Sequence, residues 1–534
     1  MSELALQIVA VVVCTTLFCL MTMKMLGAMQ QSGYKNGVFW SWLRRKENMF
    51  FNKLCVLALC LAMPVCVIAL CFSFLGERGA ILVSALVFLI FTVVFLISDS
   101  KSALKVPLHR TARAIRLFCV YVVFTALFLF GTILLLDFLR DENGSKLYRI
   151  IGYVPFALTV VCLPFVFCLA NAVTGIFETA RNRRYVKRAG QVLNQTEIIR
   201  VGIVGSYGKT SVKNIAKTLL AEKYAVIETP ESYNTPIGIA KTVFSPDFAQ
   251  KQVFLAEMGA RKLGDIRELC DLVKPDFAVF TGICNQHVAT FNSLDNVFAE
   301  KSEIIKSGAK CVCAESIKPR VSTAFDSAEN VVFADSALIK NINYGATETA
   351  FSLQIGERTL DVNVSLLGES AVENILLAVT LALEMGLSVE EIEMGLSKLQ
   401  PVPHRLQLIQ NGGVYILDDG YNSNEKGAVE AIRALTRFSG RKCIVTPGLV
   451  ECGVLEKQLN ESLGEEIAKA GLDKVILVGE TLVCAVKQGY AKVDADETEK
   501  LVIVPTLFDA QTLLKDWLTE GDAVLFLNDL PDVY

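Results

Sequence analysis

Apolar positions divide the chain near residue 180. Before it, five apolar runs stand out, near 4–27, 51–75, 79–98, 115–139 and 148–178. Each is long enough to cross the roughly 30 Å hydrocarbon core of a bilayer as a helix. After it, short β-rich runs alternate with amphipathic helical segments. IIRVGIV, QVFLAEM (252–258), DFAVFTG (276–282) and KCVCA (310–314) predict strands, and their alternation with helices predicts a mainly parallel, helix-covered sheet. FSLQIGERTLDVNVSLLG (351–368) predicts an antiparallel hairpin, and an Ala- and Leu-rich helix follows over 371–386. Two prolines in QPVPHR (400–405) interrupt the helical pattern. Beyond them VYILDD, RKCIVT, KVILVG, LVIVP and AVLFL predict a second doubly wound domain. The expected fold class is multidomain: an α-helical transmembrane bundle of about five spans, then two α/β domains.

Charge adds an orientation. Lys35, Arg44, Arg45, Lys46 and Lys53 lie between the first two runs, and Lys101, Lys105, Arg110, Arg113 and Arg116 between the third and fourth. Arg181, Arg183, Arg184, Lys187 and Arg188 follow the fifth, whereas GER (76–78) and RDENGSK (140–146) carry few basic residues. The positive-inside bias predicts an outside amino terminus and a cytoplasmic region after 180. The first run lacks a small-residue cleavage site, so a retained span is expected. The runs contain almost no ionisable groups, with Lys24 near the end of the first and Asp137 near the end of the fourth, which favours an anchor over a transport pathway. A net charge of −3 gives no basic excess, and no nucleic-acid partner is expected. Of the sixteen cysteines, Cys14, Cys19, Cys60 and Cys66 fall inside apolar runs and no CxxC pair occurs; free thiols and no structural zinc are expected.

Candidate chemistry concentrates after residue 198. Gly205-Ser206-Tyr207-Gly208-Lys209-Thr210-Ser211 follows a predicted strand and opens a helix. Backbone N–H groups at such a turn hold phosphate, a lysine reaches β/γ oxygens, and a hydroxyl binds magnesium. The loop is shorter than GxxxxGK[ST], with Ile203 at the first glycine position, so a plain glycine turn is the competing reading. Glu257 ends one predicted strand and His287 follows another, and both are candidate metal ligands at one sheet edge, although magnesium prefers oxygen. Lys301, in FAEKSEI, reads from spacing alone as a solvated helix lysine. At the domain break, Arg405 beside His404 can reach phosphate across a cleft. Asp418-Asp419 ends a strand and suits ribose hydroxyls, a metal or an ordinary turn equally.

GSYGKTS, NTPIGI (234–239), AEMGARKLGDI (256–266), the His287 stretch, AEKSEI, PHRLQ and DDGYNSN occur in the order found in Mur ligases, and the set resembles the MurF type most. The resemblance covers roughly 198–534. It implies a central ATP-binding domain over 186–402 and a carboxy-terminal Rossmann-like domain over 403–534, with the apolar runs giving a transmembrane domain over 1–185. It implies that Gly205, Gly208, Lys209, Thr210 and Ser211 bind ATP, that Asn374 contacts adenine, and that Arg405 and Asp419 grip phosphate and ribose. Magnesium falls to Thr210, Glu257, His287 and Lys301, the last matching a lysine that family members carbamylate. Lys209, His287, Lys301 and Arg405 form the implied catalytic set. The implied reaction is ATP-dependent amide formation through an acyl phosphate, joining a cell-envelope precursor acid to an amino acid or dipeptide amine beside the lipid bilayer.

Three departures accompany the resemblance. Apolar runs stand where the family carries its UDP-sugar domain. Gly368-Glu369-Ser370-Ala371-Val372-Glu373-Asn374 lacks the histidine of the family's GRHNxxN-like stretch, and FLNDLPDVY stands in place of a KGS-like segment. A poly-γ-glutamate or capsule-type ligase and a non-catalytic ATP-binding scaffold are the alternatives. An ATP-driven transporter is disfavoured by the lack of an LSGGQ-like signature.

Overall fold

The computed structural model describes residues 3–44, 90, 93–95, 97, 108–141, 146–230, 233–284, 291, 293–325, 329–421, 423–450, 452–479, 482–494 and 500–528. They fall into two units, Met1–Asn182 and Arg183–Leu530.

The amino-terminal unit is helical, with Glu3–Met21, Met23–Gln31, Asn36–Arg44, Ala112–Asp141 and the first part of Lys146–Gln195. Ala112–Leu135 and Thr159–Gln195 are long and apolar enough to cross a membrane, and the pair Val11–Met21 and Met23–Gln31, bent by 45°, would make a third such element. These match the first, fourth and fifth apolar runs. The runs expected as spans at 51–75 and 79–98 lie outside the described residues, apart from helical positions between 90 and 97. Inside the unit Phe18, Met25, Phe39, Leu117, Tyr121 and Phe167 are buried together. The Thr22 and Tyr121 hydroxyls hydrogen-bond at 3.0 Å, and Tyr121 meets Phe167 edge-on at 5.0 Å. Trp40 and Trp42 pack on Phe39. Outward, Val12, Leu127, Ile176 and Phe177 are exposed, so these helices are apolar all round, which suits a buried or lipid-covered position.

In the second unit, six strands form one parallel sheet: β1 (Ile199–Val204), β2 (Val226–Glu228), β3 (Val253–Glu257), β4 (Phe277–Phe280), β5 (Lys310–Ala314) and β6 (Val331–Ala334), in the order β2-β3-β1-β4-β5-β6. Nearly every residue of β1, β3 and β4 is buried, as both faces of a parallel sheet are covered, and their sequences accordingly read as continuous apolar runs. Ala189 and Leu193, near the end of Lys146–Gln195, join this core, and Tyr185 packs on Phe244 at 4.8 Å. Register pairs Ile203 with Glu257 and Val204 with Phe280, so Gly205, Glu257 and Thr281 share the carboxyl edge. The expected hairpin is β8 (Thr349–Ile355) and β9 (Arg358–Val364), extended by a third antiparallel strand, β7 (Ile339–Tyr344). Helix Glu369–Glu384 follows and packs into the same core through Ile375, Leu376 and Val379.

The second sheet comprises β10 (Gln407–Asn411), β11 (Val414–Asp419), β12 (Lys442–Thr446), β13 (Lys474–Val478), β14 (Leu501–Val504) and β15 (Ala523–Leu527), in the order β10-β11-β15-β12-β13-β14. Five strands are parallel. β10 pairs antiparallel with β11 across Gly412-Gly413, both at positive φ, as a two-residue hairpin turn requires. Trp517 ends the last helix, Leu507–Trp517, with the Arg441 guanidinium 4.5 Å and the Lys474 ammonium 5.7 Å from its ring.

Candidate active site

The loop after β1 has the shape of a phosphate cradle. Gly208 adopts φ 74° and caps helix Lys209–Leu220, whose first N–H groups face the loop. Side chains cannot replace its glycines: a Cβ on Gly205 would lie 1.9 Å from Thr281 Oγ1, and one on Gly208 2.6 Å from Asn374 Oδ1. Asn374, buried on helix Glu369–Glu384, is thereby brought against the loop. Ser206 Oγ is buried without a hydrogen-bond partner among the described residues, a group that a bound phosphate would satisfy. Ser211 lies in the first turn of the same helix.

Two ammonium groups converge on one loop carbonyl. Lys209 Nζ donates to Gly205 O at 2.8 Å, and Lys301 Nζ donates to the same oxygen at 2.9 Å. Lys301 is buried, contrary to the reading of FAEKSEI as a solvated face. Burial first, then the neighbouring Lys209 charge, lowers its pKa to about 7. The preceding residue does not neutralise it, because the Glu300 carboxylate accepts from Gly264 N and Ile266 N at 2.6 and 2.7 Å. Lys209 is lowered as well, by burial first, with Glu257 opposing and Arg405 reinforcing the shift.

The metal candidates meet at the same edge. Glu257, buried at the end of β3, accepts from Thr210 Oγ1 at 3.0 Å. It pairs with Lys213 Nζ at 3.2 Å, and Asn234 Nδ2 approaches its other oxygen at 3.5 Å. A hydroxyl and a carboxylate beside a phosphate cradle fit magnesium, which takes oxygen ligands and keeps waters. Among the described residues no group of three His, Cys, Asp or Glu is placed to hold a metal, and His287 lies outside them.

The second sheet contributes Arg405 and Asp419. Leu406 N donates to Asp419 Oδ1 at 3.0 Å, and the Arg405 guanidinium lies 4.4 Å from the centre of the Tyr421 ring. Arg405 is within electrostatic range of both Lys209 and Asp419. Burial raises the Asp419 carboxyl to about 7, against the lowering effects of Ser423 and Arg405. Asp418, its neighbour, accepts instead from Gly420 N at 3.0 Å and meets His404 Nδ1 at 2.8 Å, the contacts of a turn-former. His404 and Leu406 both have positive φ, 60° and 47°, so Arg405, just before β10, is carried on a strained segment.

Several participants had no motif to announce them. Lys213 lies between buried Val212 and Ile215, and a lysine inside an apolar stripe was its one signal. Tyr207 covers Gly282 and lies beneath the Lys426 ammonium, 5.4 Å from the ring centre, while Lys426 holds Glu373 at 2.9 Å through both oxygens. Glu430, from helix Glu425–Thr436, accepts from Ser370 N at 2.5 Å and from its hydroxyl, capping helix Glu369–Glu384.

Comparison with known proteins agrees with this geometry. Residues 203–382 match the Mur ligase middle domain and residues 404–528 the Mur ligase glutamate ligase domain. The UDP-N-acetylmuramoyl-tripeptide–D-alanyl-D-alanine ligase of Escherichia coli K12 is 28% identical over 346 residues, 61% of this chain and 75% of that protein. The corresponding ligase of Bacillus subtilis 168 is 26% identical over 339 residues, 61% of this chain and 72% of its own length. The structure of MurF ligase from Thermotoga maritima in complex with ADP superposes with a TM-score of 0.57 at 25% identity, covering 66% of this chain and 81% of that one. The chain belongs to the Mur ligase family of ATP-dependent, amide-forming ligases, and to its MurF type.

Proposed function

We propose that the chain is a membrane-anchored ATP-dependent amide ligase of cell-envelope precursor synthesis, working through an acyl phosphate. The observation that carries this is the convergence of Lys209 and Lys301 on Gly205 O beside the Thr210–Glu257 pair. The domains in this reading are 1–185, 186–402 and 403–534, with an outside amino terminus and the ligase part cytoplasmic. The basic residues after 180 and the apolar outer faces of the helices support that placement.

The loop of Gly205, Gly208, Lys209, Thr210 and Ser211 holds the nucleotide phosphates, with Asn374 on the adenine side and Arg405 and Asp419 on phosphate and ribose. Thr210, Glu257, His287 and a carbamylated Lys301 would hold magnesium, which would supply charge neutralisation at the phosphates. Lys209 neutralises charge on the transferring phosphoryl group. A substrate carboxylate attacks the γ-phosphorus, giving an acyl phosphate and ADP. The amine then attacks the acyl carbon, and phosphate leaves as the amide forms. Buried Lys301 and Glu257 keep this edge dry, which protects the acyl phosphate from hydrolysis. By analogy with the names of the relatives, a muramoyl peptide is the acid and D-alanyl-D-alanine the amine. The helical unit, in the place of a UDP-sugar domain, presents a membrane-proximal acceptor.

Full-length protein in detergent, given muramoyl-peptide acids and D-alanyl-D-alanine, is expected to release ADP only when both are present. The product is expected to be heavier than the acid by the amine less water. ADP release indifferent to every acid–amine pair would sink the ligase reading. Release with glutamate as the amine would reassign it to the poly-γ-glutamate class.

A further inference from the structure

Three arginines of the amino-terminal unit gather around one carboxylate. The Glu178 side chain is 5% exposed; its Oε1 accepts from Arg116 Nε at 2.5 Å and its Oε2 from Arg181 Nη2 at 2.7 Å. Arg113, one turn before Arg116, lies within electrostatic range of Glu178, Arg116 and Arg181. Its guanidinium lies 3.8 Å from the centre of the Tyr34 ring. Tyr34 is itself fixed, because Asn171 Nδ2 donates to Tyr34 O at 3.0 Å and to Asn36 Oδ1 at 2.7 Å. Three guanidinium charges thus meet one carboxylate, and Arg116 Nη2 is enclosed with no acceptor among the described residues. An enclosed guanidinium N–H without an acceptor is costly, and an arriving oxyanion removes that cost.

The surroundings are amphiphilic. Ile176 and Phe177, next to Glu178, are 68% and 71% exposed, and Ile115, next to Arg116, is 53% exposed. We infer that Arg113, Arg116 and Arg181 form a binding site for the phosphate monoester or diphosphate headgroup of a membrane lipid. The exposed apolar residues beside them receive its chain. Planar guanidinium forks match phosphate oxygens bidentately, and the apolar border selects a lipid over a free phosphate. This rests on the membrane-anchored reading and gives its acceptor a chemical class, a lipid carrying phosphate or diphosphate.

The test uses full-length protein in phosphatidylcholine nanodiscs, with bound lipid counted by native mass spectrometry. The probes are a polyprenyl diphosphate, phosphatidylglycerol and inorganic pyrophosphate. R113K/R116K/R181K keeps every charge, and with it the positive-inside bias, but removes the forks. Binding of the polyprenyl diphosphate is expected to weaken by about ten-fold or more. R183K/R184K, exchanging exposed arginines outside the cluster, is expected to leave it unchanged. Equal binding by wild type and the triple variant, or equal loss in both variants, would reduce the cluster to diffuse charge and overturn the site. Equal binding of inorganic pyrophosphate would reassign it to a soluble phosphate, and equal binding of phosphatidylglycerol would overturn the headgroup class. ADP release with soluble acid and amine, measured separately on wild type, tests the ligase reading alone. If it fails while lipid binds, that reading falls and the site stands.

Discussion

At the residue scale, two buried lysines at one sheet edge have different partners. Lys213 has the Glu257 carboxylate, whereas Lys301 faces the Lys209 charge. A lysine lowered to about 7 binds fewer protons folded than unfolded between pH 7 and its ordinary value near 10.4, so its burial costs most below pH 7 and nothing above that value. Lys301→Met is therefore expected to stabilise the nucleotide-free protein at neutral pH, with the gain shrinking as pH rises toward about 10.4. Urea midpoints across that range check it. The same lowered pKa leaves neutral amine available near pH 7 to condense with carbon dioxide, releasing a proton and forming a carbamate. Removal of bicarbonate is expected to depress ADP release in wild type and to leave a Lys301→Met variant, already slow, unchanged. Asp419 runs the opposite way: raised to about 7, it contributes stability fully below about pH 4 that is lost as pH rises through 7. Asp419→Asn is expected to raise the melting temperature above pH 7 while weakening nucleotide binding, which calorimetry separates. Gly208→Ala must put a Cβ against Asn374 at φ 74°, and a loss of about 1–2 kcal/mol is expected from the backbone alone.

At the scale of elements, the join between the two α/β sheets rests on helix ends. Glu430 caps helix Glu369–Glu384 from the other domain through Ser370, and Gly368 makes room, since a Cβ there would lie 2.3 Å from Glu430 Oε1. Glu430→Ala leaves the Ser370 N–H without that partner and is expected to cost about 1–3 kcal/mol and to speed proteolysis near residues 400–406. Both strand alternations were legible before the structure because central parallel strands are buried on both faces and spell continuous apolar runs. β2 was not legible, because three residues carry no period, and β7 was hidden because four of its six positions are exposed. The Gly205–Ser211 loop and Glu257 were readable as motif and strand end. Lys301 was not readable as buried, since its spacing alone is that of any surface helix. Tyr207, Lys426 and Glu430 act through contacts between domains, which no local pattern records.

At the scale of the whole chain, the membrane-anchored reading makes the apolar helices around Tyr121 and Phe167 the part that sets where the protein is found. The full-length chain is expected in the membrane pellet after alkaline carbonate washing and in solution only with detergent, and recovery in the wash would remove the anchor. The placement of tryptophan has an optical consequence. The chain has three, and Trp40 and Trp42 lie in the helical unit, leaving Trp517 to report from the ligase part. The phosphate loop and its sheet are therefore dark to tryptophan emission. A nucleotide that settles in the cradle without moving the last helix changes nothing in the spectrum. A change in intensity that survives replacement of Trp40 and Trp42 reads out cations shifting over the Trp517 ring, a built-in gauge of the carboxy-terminal domain.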